Sequence, residues 1–523
     1  MVDNFDSINK KALVTASQMQ EIEAQIFASG MPVASLMEKV ALKTTWEIFK
    51  KLSSPQNKYL TIGVLVGCGH NGGDALVIAR ELYSKGYNVL IYSPLAHKSK
   101  DLTKQHLLYA QNIGIPVVKS ISDFQQSDLI IDGLFGFGLT REITGDLADQ
   151  IRLINQWHRK VISVDIPSGI HTDTGEVLGI AIKANLTLCL GLYKTGLFQD
   201  RALDYVGKVK RIDFDIPPRY IEEVIKKSPT VELINGKKAK KVLPLPRHVT
   251  SHKYKQGHLL LICGSKKYAG AALLSAYGAR CSGVGMVSIA VPESLKYMVN
   301  SHIPEGLVIG CEETDSGAIE SLPSLDWGKF DWVSCGMGLT RDAVSVVEMV
   351  INSGCNILLD ADGLNITAEH FLMDALKFRE GQTVLTPHDG EFQRLFPDLI
   401  NVDDRIESNR LGAIALSSSS SKVASVTILR KGAKSIISNQ EHSYIIPETT
   451  PALARGGSGD VLSGFIAGLL AQSSLNRAST IDIVATAAWI HQQAAILAQK
   501  EVSQMGVDGV TLSKYILKFI AKF

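Results

Sequence analysis

The chain has few cysteines, and none are spaced for metal or disulfide chemistry. Its seven, Cys68, Cys189, Cys263, Cys281, Cys311, Cys335 and Cys355, are odd in number and include no CxxC pair. That excludes a disulfide frame and a cysteine zinc site, and reads as reduced thiols in a cytosolic protein. Thirteen histidines form no HExxH pattern, so a catalytic zinc of that type is not expected. No apolar run of about 20 residues is free of charge and glycine, which argues against a membrane span. The stretch Met1–Ala12 carries acids and lysines without an apolar centre and does not read as a signal peptide. Charge is also scarce as a field. The net value is +2 and no basic or acidic run occurs, so nothing favours nucleic acid or an acidic membrane surface.

What remains is an ordinary globular composition, 45% hydrophobic and 20% charged, in 523 residues. That length is too great for one core and implies two to four domains. Two blocks alternate short apolar strands with helical patterns, the arrangement of a parallel sheet covered on both faces. In the first block, strands are expected at Thr61–Gly67, Asn88–Ser93, Leu129–Asp132, Val161–Asp165 and Leu186–Leu190, with a helix from Asp74 to Lys85. Residues 215–256 hold Pro217, Pro218, Pro229, Pro244 and Pro246, and a boundary is placed near residue 230. The second block opens at Gly257–Gly264. Further strands are expected at Met286–Val291, Trp332–Cys335, Ile357–Asp360, Thr383–Leu385 and Val426–Leu429, and a hairpin around residues 435–446. The alanine-rich stretch Ala271–Ser282 reads as a helix suited to close packing. The serines at Ser417–Ser421 read as a loop.

The most informative stretch is Arg455-Gly-Gly-Ser-Gly-Asp460, followed at once by an apolar helix. Unpaired N–H groups and the dipole at a helix start make a seat for phosphate. Asp460 lies in that seat, where a carboxylate repels phosphate. Its presence points to holding or moving a proton beside a bound phosphoryl group. The alternative is a glycine turn with Asp as a cap.

In the first block, Gly67-Cys-Gly-His-Asn-Gly-Gly-Asp74 follows a strand and opens a helix. Asp132 and Asp165 each end a strand, Asp165 before the rigid Ile166-Pro167-Ser168 turn. Strand carboxyl ends are where parallel sheets bind ligands. Each aspartate can instead cap a turn, but three such ends in one sheet converge on one crevice. Asp165 is the candidate general base.

On these motifs the first block resembles NAD(P)H-hydrate epimerase domains. The second resembles ADP-dependent NAD(P)H-hydrate dehydratases, which have a ribokinase-like fold. The order of the two resembles the bifunctional NAD(P)H-hydrate repair family of bacteria. The resemblance implies α/β architecture in two domains, a Rossmann-like α/β/α epimerase domain over 1–230 and a ribokinase-like α/β/α dehydratase domain over 231–523. The family loop Asn-Asn-Gly-Gly-Asp-Gly is met here with His70 and Ala75 in place of its first Asn and last Gly.

The resemblance further implies roles. Asn71, Asp132 and Ser168 would hold K+. The hydrate would lie on His70, Asn71, Gly72, Gly73 and Asp74 and on Gly136, Phe137, Gly138, Leu139, Thr140, Arg141 and Glu142, with Asp165 as base. In the second block Ala271, Gly338 and His388 would contact the hydrate, with Asp460 catalytic. Lys431, Gly432, Ala433, Lys434, Ser435 and Gly459 would contact ADP, and Glu391 would assist Mg2+. Asp360 and Asp362 are either strand-end carboxylates of the site or a turn and a helix cap. The substrates implied are the hydrates NADHX and NADPHX with ADP, in a cytoplasmic homo-oligomer that touches neither nucleic acid nor membrane. A ribokinase-type sugar or vitamin kinase with an accessory ligand-binding domain would show the same Gly-Asp loop. Its lack of an epimerase-like block argues against it.

Overall fold

The computed structural model describes residues 12–52, 60–417, 425–475 and 478–523. The amino-terminal segment and most of the serine stretch, 418–424, lie outside the described residues. The chain divides into two compact units, one ending at Val231 and one beginning at Glu232.

In the first unit six parallel strands form one sheet: β1 (Thr61–Val66), β2 (Asn88–Tyr92), β3 (Leu129–Gly133), β4 (Lys160–Val164), β5 (Leu186–Leu190) and β6 (Lys208–Ile212). Their spatial order is β2-β1-β3-β4-β5-β6. The chain therefore reverses its winding between β1 and β3, the switch point at which such sheets bind ligands. β3, β4 and β5 are buried almost throughout, as strands covered on both faces must be. β6 was not expected. Its Lys-Val-Lys-Arg-Ile puts charge into an edge strand, which hides the apolar signal.

The helix after β1 starts at His70, not Asp74. The glycines read as a loop therefore form its first turn. A Cβ on Gly72 would come 2.0 Å from the Gly67 carbonyl oxygen, and one on Gly73 2.6 Å from the Met37 methyl. Close helix–strand packing, which the sequence shows only as glycine, sets this turn. Before it, the helix Ala16–Ala28 is started by a reciprocal cap between Thr15 and Gln18 and buries Met19, Ile22 and Ile26.

The second unit holds β7 (His258–Ile262), β8 (Met286–Pro292), β9 (Leu307–Glu313), β10 (Ile319–Ser321), β11 (Trp332–Cys335), β12 (Ile357–Leu359), β13 (Thr383–Leu385), β14 (Val426–Arg430), β15 (Ile436–Ser438) and β16 (His442–Ile445). They run in the order β10-β9-β8-β7-β11-β12-β13-β14-β15-β16. The pairs from β9 through β14 are parallel, and the antiparallel hairpin β15–β16 lies where a hairpin was expected. The switch point here lies between β7 and β11. Helices Ala269–Ser282 and Ser458–Leu470 cross at glycine contact. A Cβ on Gly278 would meet the Val461 carbonyl oxygen at 2.1 Å, and one on Gly464 the Ser275 carbonyl oxygen at 1.9 Å. This crossing seats the glycine loop that precedes the second helix.

Gly464→Ala forces the two helices apart. We expect a loss of about 2 kcal/mol or more in the second unit, by analogy with overpacked cores. An unchanged thermal midpoint for that unit would show that the crossing tolerates the methyl.

Candidate active sites

In the first unit the strand ends open into a cleft of about 660 Å³. Asp165 sits at its base, just past β4, at φ +69°. This left-handed conformation costs an L-residue about 1–2 kcal/mol. Three contacts hold it there. Oδ1 accepts from the Lys194 ammonium at 2.5 Å and from the Leu190 N–H at 3.3 Å, and Oδ2 accepts from the Phe137 N–H at 3.0 Å. Lys194 is fully buried. Its ammonium also donates to the Leu190 carbonyl at 2.6 Å and lies 5.5 Å from the centre of the Phe137 ring. Gly136 passes close to both sides of the site. A Cβ there would lie 3.2 Å from Asp165 Oδ2 and 3.3 Å from the Asn71 Cβ.

Of the expected ligand positions, His70, Asn71, Asp74, Gly136, Phe137, Gly138, Leu139, Thr140 and Arg141 line this cleft with Asp165. Gly72, Gly73 and Glu142 do not. Burial, with Lys100 nearby, holds the His70 imidazole below its usual range. Asp74 is pushed well above the carboxylate range by burial and then by Asp165 and Glu23.

The three residues expected to hold a cation stand on neighbouring strand ends, since β1 pairs β3 and β3 pairs β4. Both amide atoms of Asn71 are buried without a partner among the described residues. Such an amide is a ready oxygen ligand. Asp132, in contrast, takes four donors: the Ser163 hydroxyl at 2.8 Å, the Ser168 N–H at 2.9 Å, the Ser168 hydroxyl at 2.6 Å and the Leu134 N–H at 3.3 Å. Burial still raises its carboxyl above the ordinary range.

In the second unit Gly457, at φ +90°, starts the helix Ser458–Leu470 with no side-chain cap. Its first N–H groups are therefore open to an anion. Asp460 lies in that first turn. Burial raises its carboxyl to about 6, with Asp360 adding to the rise and Lys431 opposing it. The Lys431 ammonium donates to Asp360 Oδ1 at 2.7 Å, and the Ser463 hydroxyl to Asp360 Oδ2 at 2.5 Å. A Cβ on Gly459 would lie 3.8 Å from that ammonium. The buried His491 imidazole, held near 4 by burial, donates from Nε2 to the Ser458 carbonyl at 3.0 Å and anchors the turn.

The other expected loops meet here. A Cβ on Gly338 would touch the Ala271 Cβ at 2.7 Å, so these two positions adjoin. The Lys431 N–H donates to the Pro387 carbonyl at 2.8 Å, which joins the His388 and Lys431 loops. His388 caps its helix through Nδ1, accepting from the N–H groups of Gly390 and Glu391, while Glu391 accepts from the His388 N–H at 2.8 Å. Gly432 and Ala433 are exposed on this loop, and the Ser435 hydroxyl lies 3.4 Å from the Gly432 carbonyl. The Lys434 ammonium donates to the Pro447 carbonyl. Asp362, in the first turn of the helix Asp362–Glu369, accepts from the Thr340 N–H at 2.9 Å and adds to the rise of Asp460. Asp360 belongs to the charged centre.

Three participants escaped the sequence reading. Lys194 follows β5 in Leu190-Gly-Leu-Tyr-Lys-Thr-Gly, and a lysine between an apolar strand and a glycine was the available signal. Glu23 lines the first cleft from a helix with no local mark of its role. Ser463 is one serine in an apolar helix, one turn past Asp460.

Comparison with known proteins bears on both units. A family model described as YjeF-related protein N-terminus matches residues 33–196, and one described as NAD(P)H-hydrate dehydratase matches 259–518. The chain is 48% identical over 97% of its length to a bifunctional NAD(P)H-hydrate repair enzyme of Synechocystis, covering 94% of that protein. It is 45% identical to that of Thermosynechococcus vestitus, covering 97% of each. A solved ADP/ATP-dependent NAD(P)H-hydrate dehydratase of Bacillus subtilis, crystallised with ATP and Mg2+, is 27% identical over 55% of this chain and 96% of that one, with a TM-score of 0.44.

Lys194→Met leaves the buried Asp165 without its counter-charge. Breaking such a pair costs about 3–5 kcal/mol, and we expect that loss in denaturant unfolding of the first unit. A change below about 1 kcal/mol would mean that the pair does not hold the site together.

Proposed function

The chain belongs to the bifunctional NAD(P)H-hydrate repair enzymes, and on that premise we propose how its two sites divide the work. The enzyme interconverts the R and S epimers of hydrated NADH and NADPH. It then dehydrates the S form at the expense of ADP, giving AMP and phosphate. We assign the first activity to the unit ending at Val231 and the second to the unit from Glu232. The observation that carries this assignment is the pairing of chemistries: a lysine-held Asp165 at the floor of an open cleft, and Asp460 inside an uncapped glycine helix start.

The hydrate carries a hydroxyl on the ring carbon beside nitrogen. The nitrogen lone pair can expel that hydroxyl or let the ring open, and return from the other face exchanges the epimers. Asp165 handles the proton, and its fixed carboxylate is worth about 10²–10⁴-fold. Lys194 sets a counter-charge 2.5 Å from that buried carboxylate, and the Gly136–Arg141 loop and the His70–Asp74 turn enclose the ring. The orphaned Asn71 amide fits an alkali cation. Asp132 and Ser168 would complete its oxygen ligands once their mutual hydrogen bond is given up. The cation would supply positive charge beside the bound hydrate.

In the second unit hydroxide is a poor leaving group. Transfer of phosphate from ADP to the ring hydroxyl makes a good one, and the ring nitrogen then drives it out. Such transfer rests on positioning and charge neutralisation. The Gly456–Gly459 helix start and Lys431 supply positive potential, and Asp460 takes the hydroxyl proton. Gly432, Ala433 and the backbone of Lys434 and Ser435 face the nucleotide, while Ala271, Gly338 and His388 face the hydrate. Magnesium binds through few carboxylates and mostly through phosphate and water. Glu391 and Asp360 are already hydrogen-bonded, which suits them to its water shell. No helix among the described residues is long and apolar enough to cross a membrane. A cytosolic homo-oligomer is part of the same proposal.

Asp460→Asn should stop ADP-dependent recovery of NADH absorbance from the S epimer while epimer exchange continues. Asp165→Asn should do the reverse, blocking use of the R epimer alone. Equal loss of both activities in either variant refutes separate sites. Asp460 must be ionised to accept a proton. Dehydration should therefore fall about tenfold per pH unit as pH drops below about 6. A rate flat down to pH 4.5 would remove Asp460 from that role.

A further inference from the structure

Inversion at the hydrated carbon has a requirement that one aspartate does not meet. Oxygen leaves from one face of the ring and returns on the other. Departure calls for a proton donor, and return calls for a base. Asp165 is built as the base, with a buried ammonium at 2.5 Å. A donor must be a group that stays protonated beside it.

Helix Ala16–Ala28 turns Gln20, Glu23 and Phe27 into the cleft, next to its core face of Met19, Ile22 and Ile26. Glu23 is the carboxyl on that stripe. Among the described residues it makes no hydrogen bond or ion pair, so its headgroup is free for a ligand. The charged groups around it are Lys194 and Asp165 from beyond the strand ends and Asp74 from the helix after β1. Lys100, Arg141 and His70 also line the same cleft. One buried lysine faces three carboxyl groups, and it is committed by contact to Asp165. Asp74 is buried and Glu23 half-buried, so the two cannot both be ionised without uncompensated charge drawn out of water.

We propose that Glu23 is a second catalytic residue of the epimerase site, the acid that protonates the departing hydroxyl opposite Asp165. The inference rests on the epimerase reading of this unit. The Glu23 carboxyl gives its proton to the hydroxyl oxygen as the C–O bond breaks with both electrons going to oxygen. Water leaves, and the nitrogen lone pair closes a C=N bond. Water then adds to the other face, its new C–O bond taking the C=N pair back onto nitrogen, and Asp165 accepts its proton. Transfer of that proton from Asp165 to Glu23 through solvent restores the site. The electrostatics agree. Burial raises Glu23 to about 7, Lys194 opposes the rise and Asp165 adds to it.

The test uses the full chain and a mixture of R and S hydrated NADH, with epimer exchange followed by chromatography across pH 5.5–9. Wild-type exchange should fall about tenfold per pH unit above about 7, as the Glu23 proton is lost. Glu23→Gln should lower exchange about 10²–10⁴-fold. Glu23→Asp should retain part of the rate, with its alkaline limb moved to lower pH. ADP-dependent dehydration of the S epimer should be unchanged in both variants. A Gln variant that exchanges at the wild-type rate overturns the proposal, as does an alkaline limb that stays in place in either variant. Loss of the first unit's thermal transition in both variants assigns Glu23 a structural role and overturns it too. A wild-type chain that does not accelerate exchange refutes instead the epimerase reading on which this stands.

Discussion

A lysine holding a buried aspartate at the mouth of a parallel sheet is the constraint from which each site follows. Taking a carboxylate out of water costs several kcal/mol, and only a close counter-charge with further hydrogen bonds offsets it. Lys194 meets Asp165 at 2.5 Å and Lys431 meets Asp360 at 2.7 Å. Each pair carries one charge of each sign, so it fixes geometry without adding net charge. Additional carboxyl groups nearby, Glu23 and Asp74 in one unit and Asp460 in the other, make no ion pair among the described residues. Their protons are therefore held more tightly than in water, which readies Glu23 and Asp460 for proton transfer near neutral pH.

The two units then diverge through backbone. The first offers a cleft lined by the Gly136–Arg141 loop, suited to enclosing a ring and exchanging protons with it. The second adds the uncapped helix start at Gly457, whose N–H groups address an anion. That difference separates a proton-exchange reaction from one that consumes a phosphoryl donor. Ser463 and His491 matter to the second site through position alone. One steadies Asp360 and the other steadies the turn that presents Asp460.

Much of this was legible along the chain. Apolar runs ending in glycine or aspartate marked β1, β3, β4, β7 and β11, because a strand buried on both faces leaves a near-continuous apolar record. Asp165 and Asp460 were visible for the same reason, as charges at the ends of such records. The edge strand β6 and the strand β9 beside the short β10 were less legible, since most of their residues are partly or fully exposed. The glycines of the His70 turn were visible, but their purpose was not. Gly72 and Gly73 serve contacts with Gly67 and Met37 that are distant in sequence or masked by the turn.

The sequence by itself determined the two α/β units, the strand ends that carry chemistry and the glycine helix start, because periodicity, turn chemistry and capping act over a few residues. Only the tertiary structure decided which charges meet. Lys194 reaches back 29 positions to Asp165, and Lys431 reaches 71 to Asp360. Glu23 enters the first cleft from another helix. Burial and Coulomb energy depend on distance in space, which the order of strands in the sheet sets and local pattern does not.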